Sequence, residues 1–288
     1  MGAVGLVLHQ ERVQARALAD EATTWLHDAG HQVVVPMSDA TLLGPDHRRE
    51  VVDHSEFGPG LDLVVSLGGD GTMLRTVEMT AAHDVDVLGV NVGHMGYLTE
   101  VEPAALADAL ARYFRGDFSV ELRMLLSVMV RSSIGGEAVL IDHALNEAVV
   151  EKTESGHTVR LGVALDGDHF TTYATDGLIV STPTGSTAYA FSARAPIVDP
   201  THRAVLLTPV APHMLFDRTL VLDPSTEVEV EVRDHRAASV SVDGRPIATL
   251  KEGDVVRCRA SEHNARLVTF GPREFHRILK AKFGLNDR

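Results

Sequence analysis

The segment Gly68-Gly69-Asp70-Gly71-Thr72 follows an apolar run, Leu63–Leu67, and leads straight into a helix-like stretch. Strand, glycine turn and helix together favour a phosphate, because backbone N–H groups at a helix start point at an anion. Asp70 stands against a simple cradle, since its carboxylate repels the phosphate. Two chemistries reconcile them. The carboxylate can hold a Mg²⁺ or another divalent cation that neutralises a nucleotide phosphate, or it can accept the proton of a hydroxyl attacking a phosphoryl group. A purely structural alternative makes Asp70 the N-cap of the helix. The turn lacks the lysine of a Walker A loop and does not fit the dinucleotide fingerprint. On the phosphate reading Gly68, Gly69, Gly71 and Thr72 face the phosphate, and Arg75 is a candidate pocket cation.

A second constellation runs from Tyr173 to Tyr189, where Ser181, Thr182, Thr184, Ser186 and Thr187 interleave with proline and glycine. Such composition is that of a solvated turn, but an acceptor-rich loop beside Tyr189 also suits a ribose and a stacked base. No Gly-x-Ser-x-Gly elbow is present, which argues against a nucleophilic serine. Asn146-Glu147 lies between apolar stretches and, if buried, offers an amide and a carboxylate to a diol. Asp243-Gly244 has the form of a hairpin turn. None of the 15 histidines has HExxH or Cys/His metal spacing; His94 in the second glycine loop and His213 are the two that could line a pocket.

Short apolar strands at Ala3–Leu8, Val33–Val35, Leu63–Leu67 and Val85–Val90 alternate with helical spacing over Glu11–Leu26, Met73–Ala82 and Ala104–Arg115. This alternation predicts a parallel α/β sheet covered on both faces. Ligands of such sheets bind at the carboxyl ends of strands, where Gly68–Gly71 and Asn91–Gly96 fall. From about residue 119 the segments become short and β-rich, as in an antiparallel sandwich. A helix over Glu274–Phe283 follows, with Phe275, Ile278, Leu279 and Phe283 on one face. The expected division is an α/β domain over 1–120, to which 263–288 return, and a β-rich domain over 121–262.

The 288 residues carry 26 basic and 40 acidic side chains, a net charge of -14. So acidic a surface repels nucleic acid and anionic lipid. Cys258 is the single cysteine, which excludes an intrachain disulfide and fits a reducing compartment. With neither a signal-peptide pattern nor a membrane-length apolar run, the expected location is cytoplasmic.

The segments GGDGT, NVGHMGYL, LNEAVV and TDGLIVSTPTGSTAYAFSA, in this order and at these distances, resemble those of the bacterial NAD kinases. GGDG alone is shared with lipid kinases of the diacylglycerol and sphingosine type and, more loosely, with phosphofructokinases; the long motif is far more specific. The resemblance implies a Rossmann-like or phosphofructokinase-like α/β domain followed by the β-rich domain. It implies transfer of the ATP γ-phosphate to the adenosine 2′-hydroxyl of NAD, with a divalent cation, by a homodimer or homotetramer. By the same resemblance Asp70 meets the ribose hydroxyls and acts as the base, with Gly71 beside it. Asn146, Glu147 and Asp176 contact NAD, while Thr187, Ala188, Tyr189 and Ser192 form the adenine-side wall. The alternatives are a GGDG-type lipid or sugar kinase and a catalytically inactive NADP(H)-binding sensor. One departure stands out. The family usually has two glycines before Pro196, and this chain has Arg194 and Ala195, which predicts an altered turn with a solvent-facing arginine or a cation near a phosphate.

Overall fold

The computed structural model describes residues 2–93, 96–133, 138–272 and 274–285. The chain forms two compact units, one of Met1–Leu122 with Ala265–Arg288 and one of Arg123–Asn264.

In chain order the first unit holds β1 (Ala3–Leu8), α1 (Val13–Asp28), β2 (Gln32–Pro36), α2 (Met37–Leu43), β3 (Arg49–Val52), β4 (Leu63–Gly68), α3 (Asp70–Thr80), β5 (Asp86–Asn91) and α4 (Leu106–Phe114). The strands are parallel in the order β3-β2-β1-β4-β5. Every residue of β4 and β5 is buried, which explains their unbroken apolar character: a strand covered on both faces has no polar side to alternate with. Helix α3 begins three residues before the Met73 expected from its apolar spacing. Gly69 takes the extended N-cap conformation, so the glycine turn itself starts the helix. Helix α2 carries no legible repeat in its seven residues.

The chain continues through β6 (Ser119–Arg131), β7 (Ala138–Ala144), β8 (Glu147–Lys152), β9 (Val159–Leu165), β10 (Asp168–Thr175), β11 (Gly177–Ser181), the short α5 (Tyr189–Ser192), β12 (Val205–Val210), β13 (Leu220–Leu222), β14 (Val228–Val232), β15 (Ala238–Val242), β16 (Arg245–Leu250), β17 (Val255–Thr269) and α6 (Phe275–Phe283). In the second unit one antiparallel sheet runs β13-β12-β11-β8-β15-β16, and another contains β10-β9-β14-β17. Alternate residues of both sheets share one core: Ala148 and Val150 of β8, Val240 and Val242 of β15, Leu161 and Val163 of β9, and Val228 and Val230 of β14. This is the expected sandwich. Cys258 lies in the same core, and burial pushes its thiol up to about 12, far from reactivity.

The last residues of β17 belong to the first unit, where Arg266 and Leu267 pair with β5. Helix α6 belongs to that unit too, yet none of its side chains is fully buried. The apolar face expected over Phe275–Phe283 is therefore only partly covered. Among the described residues no helix is long and apolar enough to cross a membrane.

Candidate active site

In the first unit β4 ends at Gly68, Gly69 caps α3, and Asp70 is its first helical residue. The N-cap alternative for Asp70 therefore fails. Its carboxylate instead reaches the second glycine loop, accepting N–H bonds from Tyr97 at 2.9 Å and Leu98 at 3.0 Å. Gly96 makes that approach possible, because a Cβ there would stand 2.0 Å from Asp70 Oδ1. At Gly69 and Gly71, by contrast, a Cβ would meet nothing within 4 Å. Those glycines border open space, and by helix geometry the Asp70 and Gly71 amides lack a partner inside the helix, whereas Thr72 N–H already bonds the Gly69 carbonyl at 3.0 Å.

That space is a cleft of about 380 Å³ lined by Gly69, Asp70, Gly71, Thr72 and Gly96, with His9, Gln10, Arg12, Arg75 and Lys282 around it. Arg75 is held by Asp39 through two bonds of 2.7 Å. Lys282 lies over the Tyr97 ring, 4.0 Å from its centroid. Neither Arg12 nor Lys282 has a carboxylate partner among the described residues. Open amides, a helix dipole and cations without a carboxylate partner are together features that favour an anion, within a strongly acidic chain. His94 lies outside the described residues.

In the second unit Glu147 opens β8, a central strand of its sheet and not an edge, and Asn146 immediately precedes it. Glu147 is buried and Asn146 partly so. Their backbone is pinned by Asp243, whose carboxylate accepts N–H bonds from Leu145 at 2.7 Å, Asn146 at 2.9 Å and Glu147 at 3.0 Å. Asp243-Gly244 is the expected hairpin turn, both residues having positive φ, and it is also the anchor of this segment. Only the hairpin was signalled in the sequence. Burial first, and then the nearby charge of Asp243, raise Glu147 to about 8, although it accepts the Tyr189 backbone N–H. Its Oε2 has no hydrogen-bond partner.

In the hydroxyl-rich loop most donor hydrogens are used internally, while Ser181 Oγ is buried without a partner. Thr182 donates to Leu145 O at 2.6 Å, Ser186 to Pro183 O at 2.6 Å and Thr187 to Thr184 O at 3.2 Å. Arg123 in turn donates to Thr184. Gly185 is required here, since a Cβ would stand 2.2 Å from the Asn146 carbonyl oxygen. What the loop exposes is Tyr189, 39% accessible, beside partly exposed Thr187 and Ala188 and exposed Ser192. The ring is no core residue, and its hydroxyl is raised by burial and by Glu151, Asp176 and Glu147. Asp176 itself is paired with Lys152 at 2.6 Å.

Arg194 is exposed, as one of the two expectations had it, and it closes α5 in a left-handed conformation. Arg194 N–H bonds to Phe191 O and Ala195 N–H to Ala190 O, and Arg194 has a φ of 67°. This is a Schellman end to α5 with arginine where glycine is preferred; Ala195 packs with Ala190 in a small core. The exposed arginine lines a cleft of about 550 Å³ with Ser192, Met214 and Arg218. His213 is exposed and fixed by its backbone N–H to Ala174 O. Among the described residues no cluster of three or more His, Cys, Asp or Glu could cage a metal ion.

Residues 4–118 match the model of the ATP-NAD kinase N-terminal domain, and residues 145–270 match that of the C-terminal domain. The chain belongs to the ATP-NAD kinase family. An NAD kinase of Heliobacterium modesticaldum is 39% identical over 284 residues, 98% of each chain. One from Geobacter metallireducens is 36% identical over 98% of this chain and 97% of its own. Yeast NADH kinase complexed with NADH superposes with a TM-score of 0.91 at 25% identity, over 100% of this chain and 89% of the yeast chain. An NAD kinase from Archaeoglobus fulgidus in complex with ATP has the same fold, with a TM-score of 0.71 at 24% identity and full coverage of both chains. Membership of the ATP-NAD kinase family in particular sets aside the lipid or sugar kinase alternative. Within this family the anchored Asp70 and the pinned Asn146-Glu147 pair are the two centres of interest.

Proposed function

We propose that this ATP-NAD kinase family member uses the cleft at Gly68–Thr72 for the ATP phosphates and Asn146, Glu147, Asp176 and the Thr187–Ser192 segment for NAD. One observation carries the reading of the first half. Asp70 is held by two amides of the second glycine loop beside open helix-start amides and the cations Arg12 and Lys282. In the reaction the adenosine 2′-oxygen forms a bond to the γ-phosphorus while the bond from that phosphorus to the β–γ bridging oxygen breaks, and ADP leaves. Asp70 orients the 2′-hydroxyl and takes its proton. Glu147 accepts or donates at the ribose diol through its unpartnered oxygen, and the Tyr189 face stacks on adenine.

A single carboxylate at the cleft, without a cage of acidic groups among the described residues, fits Mg²⁺ carried in by the nucleotide rather than bound by the protein alone. Asp70 is the residue that would share it, and the cation would supply neutralisation of the phosphoryl oxygens. We further propose a homodimer or homotetramer, supported by Phe170, Leu215, Phe216 and Val221, large apolar side chains exposed on the second unit; light scattering in solution tests it. A cytoplasmic setting suits the lone buried thiol.

Incubation of the purified protein with ATP, Mg²⁺ and NAD, with an assay for NADP, tests the function. NADP accumulating with one ADP per turnover is expected. Tight NADP binding without turnover would replace the kinase with the inactive sensor.

A further inference from the structure

Asp39 is fully buried, and a buried carboxylate survives only when donors surround it. Its donors come from three directions. The N–H of Leu8, at the end of β1, reaches Oδ2 at 2.7 Å. Gln10 Nε2 and the Ser38 hydroxyl reach Oδ1 at 2.8 and 3.0 Å. The Arg75 guanidinium spans both oxygens, and it also donates to Leu8 O. Asp39 sits in the first turn of α2, Arg75 on α3 directly after the glycine turn, and Gln10 on the loop leaving β1. One carboxylate thus ties together two loop-bearing elements, the carboxyl ends of β1 and β4, that line the cleft with His9, Gln10, Asp70 and Arg75.

A buried ion pair is a poor stabiliser compared with an apolar pair of similar volume, because desolvation offsets the attraction. What it supplies is geometry. The bidentate fork fixes the plane of the guanidinium, whereas an unpaired arginine on an exposed helix start would sample many rotamers. Arg75 also lines the cleft, and its Nε–H takes no partner among the described residues. Gln10 is similarly fixed at the opposite wall. We infer that Asp39 is a positioning residue for the phosphate half of the site, acting through Arg75 and Gln10 and touching no substrate itself. The inference rests on the proposed use of this cleft by ATP.

A double-mutant cycle tests it, with Asp39→Asn, Arg75→Gln and the pair, reading KM for ATP, KM for NAD and melting temperature. Asparagine leaves the shape but offers one acceptor and a donor that opposes the fork. Asp39→Asn is expected to raise KM for ATP about tenfold, the scale of one hydrogen bond to a charged group, with KM for NAD within about twofold. The double variant is expected to be no worse for ATP than Arg75→Gln alone, the signature of two residues acting through one contact. A lower melting temperature with unchanged KM for ATP would overturn the inference and leave Asp39 a folding residue; so would effects that multiply in the double variant. Arg75→Lys serves where Asp39→Asn does not fold, since it keeps the charge and loses the fork. It is expected to raise KM for ATP as well, and a normal KM there would overturn the inference too. Calorimetric titration of ATP into each protein separates this failure from that of the functional reading. A wild type that binds ATP but makes no NADP refutes the reading, whereas variants that bind ATP like wild type refute the role of Asp39.

Discussion

The two halves of the candidate site are polar in opposite ways. In the first unit, Asp70 satisfies itself on Tyr97 and Leu98, and Gly69 and Gly71 border open space. Of the cleft cations, Arg75 is paired with Asp39, while Arg12 and Lys282 have no carboxylate partner among the described residues. In the second unit, most hydroxyls of the STPTGST loop are spent on the protein's own backbone, and the amides of the Leu145–Glu147 segment on the Asp243 carboxylate. Among the described residues of these two segments, the buried oxygens left without a partner are the Ser181 hydroxyl and one carboxyl oxygen of Glu147. An open electropositive cleft suits a multiply charged ligand that arrives hydrated and binds by charge. A rigid, internally satisfied wall with one buried carboxyl suits a neutral diol and a flat base, where shape decides.

Breaking the first half is expected to have the largest effect. Asp70→Asn should lower kcat by about 10²–10⁴-fold, the usual scale for loss of a general base. Because asparagine offers one acceptor to two amides, a melting curve must accompany the rate. Near-normal turnover would reduce Asp70 to an anchor of the second glycine loop.

The second half predicts smaller, binding-type losses. Asn146→Ala or Glu147→Ala should weaken NAD by about 1–3 kcal/mol, as for a buried hydrogen bond left unmade, with ATP affinity nearly unchanged. Glu147 also makes the comparison pH-dependent. Its burial, followed by the charge of Asp243, raises it from 4.5 to about 8. Between those values the folded protein holds a proton that the unfolded chain has released. The stability this provides is complete below pH 4.5 and is lost as the pH rises through about 8. Thermal melts across that window should show falling stability, and Glu147→Gln should flatten the slope.

Tyr189→Ala should raise KM for NAD about tenfold, from lost stacking and lost area together, whereas Tyr189→Phe should leave it almost intact. A parallel loss for ATP would remove the adenine from this wall. Arg194→Gly gives the smallest effect. Relief of the left-handed φ of 67° should stabilise the protein by about 0.5–1 kcal/mol, read as a higher melting temperature. A lower one would mean that the guanidinium makes contacts worth more than the strain.

The first half was far more legible in the sequence than the second, for a physical reason. Gly-Gly-Asp-Gly after an apolar strand has few other uses, and the buried β4 follows from local pattern alone, although that pattern starts the helix at Met73 and offers Asp70 rather than Gly69 as its cap. A hydroxyl-rich loop has two uses with identical composition: hydroxyls turned toward a ligand or back onto the backbone. Only the tertiary packing of Gly185 on Asn146 decides between them. Asp243 was visible as a hairpin turn but not as the anchor of residues nearly a hundred positions earlier. Asp39 escaped because α2 has seven residues and no repeat, so nothing marked its carboxylate as buried. The polar stretch Ser261-Glu262-His263-Asn264 likewise concealed that β17 continues to Thr269.

The separation of the two halves is tested most directly by calorimetric titration of NAD into folded Asp70→Asn and Glu147→Ala proteins. The expected result is NAD affinity for Asp70→Asn within about threefold of wild type, beside a loss of about tenfold or more for Glu147→Ala. Equal losses in both, or a loss confined to Asp70→Asn, would contradict the assignment of charge to one half and of NAD to the other.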